Sequence, residues 1–153
     1  MKRLLLLVAV AALMGTAGGV GSANAAPPGI CDVGGLWQGI SHSDTTGMET
    51  SVQLLIDQHG RQFDWTAVDE GGIPLFMGHG VIAASGQSSI QGKTPDGSAI
   101  VHAHGVVTCP ADTGLTADFD YHVNATGGGV IPVTQDQGTV QLVHIVEDGG
   151  GEL

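Results

Sequence analysis

Residues 98–109, SAIVHAHGVVTC, and 115–124, LTADFDYHVN, decide the fold. In each stretch apolar and polar side chains alternate with the period of two that sends neighbours to opposite faces of a strand. Ala99, Val101, Ala103 and Val107 fall on one side of the first run, and Leu115, Ala117, Phe119, Tyr121 and Val123 on one side of the second. The opposite sides carry His102 and His104, then Asp118, Asp120 and His122. Pro110 to Gly114 reads as the connecting turn. Two antiparallel strands with one greasy face and one polar face are therefore expected.

Outward from this pair, strand-like runs recur at near-regular spacing. They are Gly35–His42, Glu49–Gln58, Gln62–Asp69, Leu75–Ala84, Ser88–Lys93 and a last one at Gly138–Val146, with a weak run at Val130–Thr134. Turn signals separate them: His59-Gly60, Glu70-Gly71-Gly72, Ser85-Gly86-Gln87 and Thr94-Pro95-Asp96-Gly97, where proline presets and glycine permits the turn angles. Ala125 to Gly129 reads as a loop. Val52, Leu54 and Ile56 alternate with Ser51, Gln53 and Asp57, and Phe63, Trp65 and Ala67 with Gln62, Asp64 and Thr66. Nowhere after the leader does a helical stripe with caps occur. The fold class is all-β, a single antiparallel up-and-down barrel of about eight strands, with a β-sandwich as the alternative. Short turns favour the barrel, since a sandwich needs longer crossings between its sheets, and closure removes unpaired edges.

Residues 1–25 read as a signal peptide. Lys2 and Arg3 precede the eleven-residue apolar run Leu4–Met14, and Ala23-Asn24-Ala25 supplies small residues at a cleavage site. The run falls short of the roughly 20 residues that span a bilayer. Residues 26–153 then form one domain, exported to an extracellular or periplasmic compartment and without a membrane anchor. All 15 acidic residues lie in it, against two basic ones, Arg61 and Lys93, for a formal charge of −13 (2 minus 15). Such a surface repels nucleic-acid phosphates and anionic headgroups, leaving neutral molecules, cations or basic proteins as partners. Two cysteines in an exported chain, Cys31 and Cys109, suggest one disulfide. It would close a loop of 78 residues.

The run Cys31-Asp32-Val33-Gly34-Gly35-Leu36-Trp37 resembles the first strand of the calycin barrels, and most of all that of the avidin family. Gly60 followed by Trp65-Thr66-Ala67-Val68 is similar to that family's second hairpin, and the final glycine-led strand fits too. The resemblance implies an eight-stranded barrel and a bond from Cys31 to Cys109 at the end of a later strand. The chain departs from the family where biotin would be held. It has no tryptophan after Trp65, and Gly39 stands at the first-strand position that would contact the ligand's ring, with Ser43 matching a second polar position. The barrel is carried over from the resemblance and biotin binding is not.

Two candidate sites follow. The first is the barrel interior, with Trp37, Ser43, Phe63, Trp65, Phe76 and His79 as the ligand-binding set. His79 is read in phase with Leu75, Met77 and Val81, and His144 with Val140, Leu142 and Val146, so that both point inward or sit at a barrel mouth. The second is a metal site. With Cys109 opposite Leu115, His102 lies opposite His122 and His104 opposite Asp120, and opposed Cβ atoms are about 4.5–5.5 Å apart. Three imidazoles and a carboxylate, His102, His104, His122 and Asp120, would suit Zn²⁺ or Cu²⁺. Polar residues on the solvent face of two strands account for the same pattern without an ion. No nucleophile elbow, phosphate loop or dinucleotide fingerprint occurs, and the adjacent acid pairs Asp69-Glu70 and Glu147-Asp148 diverge in a strand. The expected function is a secreted binding protein for a small apolar or amphipathic ligand. The alternatives are metal binding through the histidine face and an acidic protein-interaction domain.

Overall fold

The structure, a computed structural model, describes residues 29–109, 115–125 and 135–146. The leader, the turn at 110–114, the loop and weak run within 126–134 and the tail lie outside the described residues. Eight strands follow in chain order: β1 (Gly35–Ser43), β2 (Glu49–His59), β3 (Gln62–Val68), β4 (Pro74–Ile82), β5 (Gln87–Lys93), β6 (Ala99–Thr108), β7 (Thr116–Ala125) and β8 (Asp136–Ile145). Each pairs antiparallel with the next, and β8 pairs with β1 to close the barrel. The meander is thus the one expected, and among the described residues there is no helix.

The β6–β7 register is also the one expected. His102 stands opposite His122, His104 opposite Asp120 and Val106 opposite Asp118. Ala99, Val101, Ala103, Val107, Ala117 and Val123 are buried, with Phe119 and Tyr121 partly so, while the histidines face solvent.

The phase of β4 differs from the sequence reading. Phe76, Gly78, Gly80 and Ile82 point inward, and Met77, His79 and Val81 point outward. The cause is glycine, which is silent in an apolar–polar pattern. A Cβ on Gly80 would overlap the Phe63 ring, and one on Gly92 of β5 would lie 2.5 Å from the Trp65 ring. These inward positions lack side chains because two aromatic rings from β3 occupy their space.

One barrel end is plugged by the lead-in before β1. Val33 is buried there; its N–H donates to Gln58 Oε1 at 2.6 Å, and its carbonyl accepts the Trp37 indole N–H at 2.8 Å. Gln58 Nε2 donates to the carbonyls of Cys31 (3.0 Å) and Gly60 (2.8 Å). Every polar atom of this buried amide is therefore matched, as burial requires. The Cys31–Cys109 disulfide, with Cα atoms 6.2 Å apart, ties the same segment to the end of β6. His144 completes the plug. Its ring meets Trp37 edge-on with centroids 5.1 Å apart, and Nε2 donates to the Gly34 carbonyl at 2.8 Å. The inward placement expected of His144 is found, in a packing role.

Candidate functional site

The other half of the barrel is hollow. A cavity of about 510 Å³ opens at the end formed by the 43–49, 68–74 and 93–99 connections. This is within the roughly 300–1,000 Å³ of small-molecule pockets. Its floor is the Trp37–Val33 plug and its walls are apolar: Leu54, Phe63, Trp65, Val101, Ala103 and Leu142, with Phe76 and Leu75 nearer the mouth. Met48, 64% exposed, lies at the mouth and lines the cavity as well. Strand alternation accounts for this composition, since every second residue of all eight strands faces the axis.

A carboxylate and two hydroxyls gather at one place on this wall, while Thr50 and Thr94 line the cavity separately. Ser43 of β1, Gly138 of β8 and Tyr121 of β7 form one cross-strand row. Gly138 is needed there, because a Cβ would stand 2.9 Å from the Tyr121 hydroxyl and would overlap the His42 carbonyl. Asp136 lies two residues along β8 on the same face. Ser43 Oγ donates to Asp136 Oδ1 at 2.6 Å and Tyr121 Oη donates to Oδ2 at 3.1 Å. Partial burial pushes the Asp136 carboxyl up, but hydrogen bonds from Ser43, Thr45 and Tyr121 and from the Gln137 backbone outweigh it and hold the group below its ordinary value. Tyr121 moves the other way: burial first, then the adjacent Asp136 charge, raise its phenol above the ordinary value.

The structure brings five of the six expected lining residues, Trp37, Ser43, Phe63, Trp65 and Phe76, to this cavity. His79 lies outside the barrel instead, with its side chain 88% exposed and Nδ1 2.6 Å from Asp64 Oδ1. The reason is the β4 phase set by Gly78 and Gly80. Asp136 falls outside the expected site because the alternation pattern starts the last strand at Gly138, whereas β8 starts at Asp136. Extending the alternation of Leu142, Val140 and Gly138 back by two residues places Asp136 on the inner face.

His102, His104, Asp120 and His122 are all exposed on the outer face, adjacent in register. Among the described residues, no three His, Cys, Asp or Glu side chains are arranged to hold a metal ion.

No protein-family model matches the chain, and neither a curated protein nor a solved structure matches it.

Proposed function

We propose that this is a secreted binding protein that takes a small amphipathic molecule into the open half of the barrel. The apolar body would lie against Trp65, Phe63 and Leu54, and the polar end would meet the Ser43–Tyr121–Asp136 group. The observation that carries this reading is the cavity itself, mostly apolar with a convergent polar cluster on one wall. An eight-stranded barrel can equally be filled by its own side chains, and this one is filled only at the plugged end. The disulfide fits an oxidising compartment, in keeping with export. The closed eight-stranded layout, with Gly35-Leu36-Trp37 on the first strand and Cys31 joined to Cys109, supports a relationship to avidin-type barrels.

The test is a fluorescence titration of the mature domain with N-phenylnaphthylamine, a neutral probe that brightens in apolar surroundings. Saturable one-to-one binding is expected, and it should disappear in Ala103→Trp, which fills the cavity from β6. A probe that stays dark with a folded wild-type domain overturns the reading.

A further inference from the structure

The cavity wall holds a single charged side chain among its described lining residues, and it is an acid. Among the described residues Asp136 alone of the lining is ionisable to a charge at neutral pH, and none of that lining is Lys, Arg or His. Among the described residues Asp136 has no cationic partner. Its charge is solvated by hydroxyls instead, from Ser43 at 2.6 Å and Tyr121 at 3.1 Å.

The direction of those hydrogen bonds fixes what the cluster can offer. A serine or tyrosine hydroxyl has one hydrogen to give. Both hydrogens are turned to Asp136, and Ser43 Oγ also accepts the Thr46 N–H at 3.1 Å, so neither hydroxyl has a hydrogen left to donate to a ligand. A carboxylate head placed there would meet lone pairs and a like charge. An ammonium head would meet acceptors and an opposite charge.

We propose that the cavity selects amphiphiles with a cationic, hydrogen-donating head of the alkylammonium kind over those with a carboxylate head, and that Asp136, held by Ser43 and Tyr121, is the residue that selects. This rests on the cavity being a binding site, as proposed above. The acidic surface of the whole domain also draws cations, so the test separates the local charge from the global one.

Decylamine, decanol and decanoate, each below its micelle concentration at neutral pH, are used to displace N-phenylnaphthylamine from the mature domain. Decylamine should bind at least about tenfold tighter than decanoate, with decanol between them. Asp136→Asn should bring amine and carboxylate to within about threefold, whereas Asp120→Asn on the outer face should leave both the preference and the probe affinity intact. Should Asp136→Asn fail to fold, the wild-type preference is read in about 1 M salt, where a Debye length of about 3 Å silences the surface field. A preference that survives there supports the cavity carboxylate, and one that vanishes overturns it. Equal or tighter decanoate binding, or an undiminished preference in a folded Asp136→Asn, also overturns the inference while leaving the cavity as a binding site. Loss of the cavity reading looks different: neither the probe nor any of the three amphiphiles binds, and both proposals fall.

Discussion

Gln58 holds Val33 across the end of the barrel: the side-chain carbonyl accepts the Val33 N–H at 2.6 Å, while the amide nitrogen donates to the carbonyls of Cys31 and Gly60. Gln58→Leu keeps the size of the side chain and leaves these backbone groups without partners beside Trp37. A loss of about 2–3 kcal/mol is expected, the cost of stranding buried polar groups, read from the shift of the urea midpoint. A change below about 0.5 kcal/mol would mean that water replaces the amide.

Gly80 and Gly92 face inward beneath Phe63 and Trp65. An added methyl at either has no room unless a ring moves. Gly80→Ala and Gly92→Ala should each destabilise the domain by about 1–3 kcal/mol, the usual range for overpacking, despite alanine's better backbone entropy. Gly97, at positive φ in the exposed Thr94–Gly97 turn with nothing near a Cβ, gives the contrast: Gly97→Ala is penalised through its backbone and not through packing. Near-ultraviolet dichroism, which reports tryptophan packing, should change for Gly92→Ala and not for Gly97→Ala.

The Cys31–Cys109 bond spans 78 residues and fastens the plug to β6. Chain-entropy reasoning gives such a crosslink roughly 4 kcal/mol. The double variant Cys31→Ser/Cys109→Ser should lose an amount of that order in a urea titration. It should also expose Trp37, now 1% accessible, to acrylamide quenching more than it exposes Trp65.

Stability should depend on pH at both extremes through one pair of groups. Asp136 has its carboxyl below the ordinary 3.8, so its contribution is complete above that value and fades as pH falls through the folded one. Tyr121 has its phenol above the ordinary 10.0, so its contribution is complete below that value and is lost as pH rises through the folded one. Urea midpoints measured against pH should therefore be flat between these limits as far as this pair is concerned. Asp136→Asn should weaken the acid limb and Tyr121→Phe the alkaline limb. Asp96, pulled down to about 2 by hydrogen bonds from Ser98 and Thr94, adds its own acid contribution between 3.8 and that value, and Asp96→Asn measures it separately.

His79 pairs with Asp64 outside the barrel, in open solvent. Exposed pairs of this kind are worth about 0–1 kcal/mol. His79→Ala should alter stability by no more than that and leave probe binding untouched. Trp65→Ala should weaken probe binding clearly, since the ring forms cavity wall.

The barrel was legible in the sequence because its strands obey a simple alternation. The β6–β7 register, down to His102 opposite His122, followed from one assumption about the turn. Phe63 and Trp65 on β3 were legible for the same reason, being aromatic at alternate positions, whereas Ser43 on β1 came from the resemblance to avidin-type barrels. Two things were not. Gly78 and Gly80 carry no hydropathy signal, so the eye follows Met77 and Val81, and His79 goes to the wrong face. Asp136 is a charged residue pointing inward, which alternation reads as a strand end. Only the cross-strand row of Ser43, Gly138 and Tyr121 explains why a carboxylate belongs there.

Seven of the eight strand seams join neighbours along the chain, and the β1–β8 seam joins its two extremes. That seam has the longest loop to close, and nothing rewards it until the rest of the meander has bent round. At Gly39 and Gly138 the backbones of the two strands come so near that any Cβ would strike the opposing carbonyl, of Gln141 and His42 respectively. The seam that closes the barrel thus runs through two residues that bring no hydrophobic surface of their own. A side chain at either would act as a doorstop, leaving the cylinder ajar and returning two sticky edges to a molecule shaped to have none.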